Sequence, residues 1–98
     1  MSLSTSNAGP EAITIRTLRS MASARDPFAC LAVYDATMAR LMDEAGVHAL
    51  LAGDSAAEVV LGLPRTVHMP LDFAIHITAA VRRGASRAHV MADMPFMS

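Results

Sequence analysis

Three short apolar runs, at residues 28–33, 47–52 and 88–92, interrupted only by His48 and His89, are what most restricts the fold of this chain. A run with apolar residues on both of its faces has little polar surface to offer water. It therefore fits a strand covered on both sides, as in a parallel sheet. The stretches between the runs are long enough to cross over and join parallel strands, and they carry helical spacing.

Residues 14–23 place Ile15, Leu18, Met21 and Ala22 on one side and Arg16 and Arg19 on the other, with Thr14 as the N-cap. Asp35 caps a second helix whose Met38, Leu41, Met42 and Ala45 form an apolar stripe, and Gly46 supplies a left-handed stop. A short helix is expected over 56–61 and a loop with Pro64 and His68 over 62–69. Pro70 then opens a helix running to about Arg83. Asp72, His76 and Arg83 share its polar stripe, Ile75, Ile77, Ala79 and Val81 are available for burial, and Gly84 ends it. The order helix, β, α, β, α, β predicts an α/β architecture.

Composition narrows the function classes. The chain is 53% hydrophobic with a formal net charge of −1, and its eight arginines are scattered, so no basic patch points to nucleic acid or an anionic membrane. Every apolar segment is interrupted well before the roughly 20 residues that span a bilayer. The start lacks signal-peptide organisation and reads as a flexible tail over residues 1–12. A soluble, cytoplasmic protein is expected. Cys30, the single cysteine, reads as a small buried hydrophobe on a strand. There is no lysine, so no Schiff-base chemistry can use a nucleophile from these residues.

Chemistry is expected where strands end. Asp54, in Gly53-Asp54-Ser55, and Asp93 follow the second and third runs. Adjacent strands lie about 4.8 Å apart, so two carboxylates at matching ends can reach one cation, and oxygen donors of this kind suit Mg²⁺. Asp after a strand is also ordinary turn and N-cap chemistry, and spacing alone leaves both readings open. Tyr34 either edges the mouth of such a site or packs against the first helix. Glu58 reads as a solvated helix residue, His48 and His89 as strand histidines satisfied within the fold, and His68 and His76 lack the matched spacing of a zinc site.

Four segments, Ile13-Thr14-Ile15-Arg16-Thr17-Leu18, Tyr34-Asp35-Ala36-Thr37, Gly53-Asp54-Ser55 and Ala92-Asp93-Met94-Pro95-Phe96-Met97-Ser98, together resemble the ketopantoate hydroxymethyltransferase family, in its order and at about its spacing. Where that family often continues Leu-Gly-Met after the second aspartate motif, this chain has Ala56-Ala57-Glu58, and its next loop reads Leu63-Pro64-Arg65-Thr66. The resemblance implies an incomplete (β/α)₈ TIM barrel, with residues 13–98 contributing an N-terminal helix and the first three strands of a single domain. A whole barrel of this kind takes about 250 residues.

The implied activity is transfer of a hydroxymethyl group from 5,10-methylenetetrahydrofolate to the 2-oxo acid α-ketoisovalerate, a step of pantothenate synthesis. By the resemblance, Asp54 and Asp93 bind Mg²⁺ and the oxo acid, and Ser55 hydrogen-bonds substrate. The family's base, a second glutamate and a lysine would lie beyond Ser98, so no catalytic base is expected here and the chain alone is expected to be inactive. The full-length family implies a homo-oligomer, and open strand edges imply self-association of this chain. A lyase or mutase of the phosphoenolpyruvate-binding barrel superfamily and a non-catalytic self-associating fragment are the alternatives.

Overall fold

The computed structural model describes residues 11–94. Most of the N-terminal tail and the Pro95-Phe96-Met97-Ser98 part of the last motif lie outside the described residues. Helix α1 (Ile15–Ser23) starts at a capping box in which Thr14 and Thr17 satisfy each other's main-chain N–H groups. It ends in a Schellman motif, with Asp26 N–H donating to the Met21 carbonyl and Arg25 N–H to that of Ala22. Arg25 occupies the left-handed position of that motif, at φ 57°.

Strand β1 (Cys30–Ala32) leads to Asp35, whose carboxylate accepts the Met38 N–H at 2.6 Å and caps α2 (Ala36–Glu44). A second Schellman motif closes α2, with Gly46 at φ 94°. Strand β2 (Ala49–Ala52) runs into α3 (Ala56–Val59), then a 3-10 turn at Thr66–His68 where a plain loop was expected. Pro70 is the N-cap of α4 (Leu71–Gly84) rather than its first residue, and strand β3 (His89–Ala92) follows.

The three strands form one parallel sheet in the order β1-β2-β3. Leu50 and Ala52 of β2 face α2 and α4, and with Val33, Ala39, Val81, Ala85 and Ala88 they make the main core. Most of these side chains are small, which lets the helices lie close on the sheet. Gly84 marks the closest approach, because a Cβ there would overlap the main-chain carbonyl of Ala36. The glycine is thus the last helical residue and a contact point, beyond the stop signal expected of it.

This packing changes three expectations. Met38 and Leu41 of the predicted stripe are exposed, while Ala39 is fully buried and Met42 packs partly beneath it. The close approach at Gly84 selects the small residue of α2, not its largest apolar ones, for the core. Cys30 is exposed rather than buried. By register it shares a face with Ala32, Ala49, Leu51 and Met91, the side of the sheet turned away from α2 and α4, and it sits on an edge strand. All three residues of β1 are consequently exposed, against the expectation of a strand covered on both faces.

Asp43, in the last turn of α2, joins that helix to the turn before β3. Its carboxylate accepts the N–H groups of Ser86, Arg87 and Ala88, at 3.1, 3.3 and 2.7 Å, and the Ser86 hydroxyl at 3.2 Å. Burial pushes this carboxyl up, but the hydrogen bonds from Ala88, Ser86 and Arg87 together outweigh it and hold the group below the ordinary aspartate value. The same turn holds the start of the described chain, through Ile13 N–H to the Arg87 carbonyl at 2.7 Å.

Candidate functional site

Parallel strands end on the same side, so β1, β2 and β3 deliver Tyr34, Gly53-Asp54-Ser55 and Asp93 to one rim. The ladder continues past the last paired residues to fix them there. Val33 N–H donates to the Leu51 carbonyl at 3.0 Å, and Asp93 N–H donates to that of Ala52 at 3.2 Å. Asp93 Oδ2 in turn accepts the Asp54 N–H at 3.3 Å. Two bonds in opposite directions therefore bind the end of β3 to the turn after β2, and the two aspartates predicted from sequence are brought together.

Ser55, the third predicted residue, lies at the N-cap of α3 but makes no cap hydrogen bond with its side chain. Its Oγ is 2.7 Å from the Tyr34 hydroxyl. Tyr34 thus edges the rim, one of the two roles left open by the sequence, and its ring packs against Ala56, Ala57 and Met69 beneath it. Asp54, Ser55 and Tyr34 are half-buried and Asp93 is exposed, so the rim is open to solutes.

The donor set suits a hard divalent cation: two oxygen-only side chains on a shared rim with free solvent access. Gly53 adds a second fitting feature. A Cβ on it would stand 3.4 Å from Asp93 Oδ2, 3.6 Å from Ser55 Oγ and 3.8 Å from Leu51 Cγ, so the glycine leaves a methyl-sized space between the carboxylate and the hydroxyl. Among the described residues no group of three or more His, Cys, Asp or Glu side chains could hold a metal. His68 and His76 are exposed on separate elements, and Glu58 is an exposed residue of α3.

Beyond β3 the sheet edge borders a groove of about 460 Å³, lined by Leu71, Ala74, Ile75 and Ala79 of α4 and by Ala92 and Met94. Ile75 and Met94 are 59% and 70% exposed there, so apolar side chains beside the rim are left uncovered among the described residues. No helix among them is long and apolar enough to cross a membrane.

Crossover-linked parallel strands define an α/β protein, and its candidate site residues gather at the carboxyl ends of those strands. A profile of the ketopantoate hydroxymethyltransferase family matches residues 12–98. The chain belongs to that family. It is 44% identical over 86 residues to the 3-methyl-2-oxobutanoate hydroxymethyltransferase of Methylococcus capsulatus, covering 88% of this chain and 32% of the relative. It is also 44% identical over 96 residues to that of Syntrophus aciditrophicus, covering 98% and 35%, and 46% identical over 85 residues to that of a Roseiflexus species, covering 87% and 31%. The chain spans about a third of the length of these curated relatives.

Proposed function

We propose that this chain supplies the first three strands and half of the metal site of a cytoplasmic (β/α)₈ enzyme that makes ketopantoate from α-ketoisovalerate and 5,10-methylenetetrahydrofolate, with residues 13–98 forming part of one barrel domain. The observation that carries the reading is the joining of Asp54 and Asp93 at one rim, in a chain whose relatives are named for this hydroxymethyl transfer. The family match supports this reading over a lyase or mutase of the phosphoenolpyruvate-binding superfamily.

In this reading Asp54 and Asp93 hold Mg²⁺, which when bound supplies positive charge to a 2-oxo acid as its C3 proton is lost. Ser55 donates its hydroxyl proton to the substrate carboxylate, and Gly53 leaves room for that carboxylate to approach. The apolar side of the sheet away from α2 and α4, where Cys30 is exposed and Leu51 and Met91 are half-buried, suits the interior of a barrel. The groove beside β3 suits the packing of a further strand and helix. Removal of the C3 proton falls to a glutamate outside these 98 residues, and the completed enzyme is a homo-oligomer.

Two measurements test this. Titration of the chain with α-ketoisovalerate should shift the amide signals of Asp54, Ser55 and Asp93 only when Mg²⁺ is present; a response elsewhere, or none, refutes the site. The purified 98-residue polypeptide should form no ketopantoate and should self-associate in ultracentrifugation through its open sheet edges. Robust turnover by a monomer would overturn the proposed division of the barrel.

A further inference from the structure

We propose that Tyr34 is the positioning residue for the Ser55 hydroxyl, donating to Ser55 Oγ so that the serine proton points toward the carboxylate of the 2-oxo acid; this rests on the function proposed above. A serine at the start of a helix ordinarily turns its oxygen onto the main-chain N–H groups of the first turn. Ser55 does not. Its backbone is already helical, at φ −63° and ψ −11°, and its side chain makes no cap bond.

The hydroxyl is held instead by Tyr34, 21 residues earlier in the chain, at 2.7 Å. Geometry permits either oxygen to donate. The phenol is the stronger acid and the better donor, so the favoured arrangement when an anion approaches is Tyr34 O–H to Ser55 Oγ and Ser55 O–H to the anion. Each bond in such a chain polarises the next. Tyr34 can hold this pose because it packs against the cluster of Ala56, Ala57 and Met69, while the preceding residue, Val33, is tied to the Leu51 carbonyl. An unsupported serine would divide its time among three rotamers. Ser55 Oγ and Asp93 Oδ2 both border the space that a Cβ on Gly53 would fill, so a hydroxyl aimed there points toward the aspartates.

The test uses nuclear magnetic resonance on the 98-residue chain, with Tyr34→Phe, Ser55→Ala and the double variant. In the wild type the Ser55 Hα–Hβ couplings should report one χ1 rotamer. In Tyr34→Phe they should average, while the core methyl signals of Leu50 and Val81 stay in place. With α-ketoisovalerate and Mg²⁺ as the probe, Tyr34→Phe should weaken binding about five-fold, the loss of one hydrogen bond. It should cause no further loss in the Ser55→Ala background. Unchanged Ser55 couplings in Tyr34→Phe, or equal losses with and without Ser55, overturn the positioning role. A wild-type chain that ignores the oxo acid overturns the substrate reading, and the orientation toward substrate with it, whatever the couplings show.

Discussion

The Asp54 main-chain N–H reaches Asp93 Oδ2 across 3.3 Å, joining two aspartates that lie 39 residues apart in sequence. One carboxylate oxygen of Asp93 thereby orders the turn after β2, and the other remains available to a ligand. Asp93→Asn keeps an oxygen acceptor for the Asp54 amide and removes the charge. With Mn²⁺ as a paramagnetic substitute, the wild-type chain should show broadened amide signals at Gly53 and Asp54. Asp54→Asn and Asp93→Asn should each require at least about ten times more ion for the same effect, with unchanged circular dichroism. Equal broadening in all three proteins would count against the shared site.

Asp43 gives the fold a defined response to acid. Its folded carboxyl lies below the ordinary value, so its stabilising contribution is complete above the unfolded group's range and is lost as pH falls through the lowered folded value. Asp43→Asn should cost about 1–2 kcal/mol in urea unfolding at neutral pH, through weakened bonds to Ser86, Arg87 and Ala88. The difference should shrink below about pH 4. A constant difference across that range would show that the charge is irrelevant.

Gly84→Ala pits helix propensity against packing. Alanine favours a helix interior by up to about 1 kcal/mol, but here its methyl would meet the Ala36 carbonyl, which is main chain and cannot swing aside. The net result should be a destabilisation of about 1–3 kcal/mol, read from a shifted urea midpoint. A more stable variant would mean that α2 and α4 can separate freely.

Arg25→Gly should act in the opposite direction. Arg25 ends α1 at φ 57°, where a side chain is disfavoured and glycine is not. Allowing for the greater freedom of glycine in the unfolded chain, a gain of about 0.5 kcal/mol is expected in thermal or urea unfolding. A loss would indicate that the Arg25 side chain makes a stabilising contact that outweighs its backbone cost.

The sequence revealed the alternation of strands and helices because apolar runs, Asp35, Gly46 and Pro70 are local signals. It also placed Asp54, Ser55 and Asp93 at one rim, since parallel strands leave few other arrangements. Faces were harder to read. Met38 and Leu41 look like core by hydrophobicity, yet Ala39 takes that place because Gly84 draws two helices together, a fact of packing with no local trace. Cys30 looks buried until its strand proves to be an edge with an uncovered face. Asp43 was passed over because its partners lie 43 to 45 residues away. An acidic side chain at the negative end of a helix dipole was nevertheless a hint that something else holds it.

Gly53 separates what the chain needs in order to fold from what it needs in order to bind. Its backbone is not left-handed, and a methyl there would meet its neighbours only at ordinary contact distances. Alanine at this position would leave the architecture intact while plugging the space between Ser55 and Asp93. A lineage could therefore lose its chemistry at position 53 in one mutational event and keep a healthy fold, with stability altered only by the small change in unfolded-chain freedom that separates alanine from glycine.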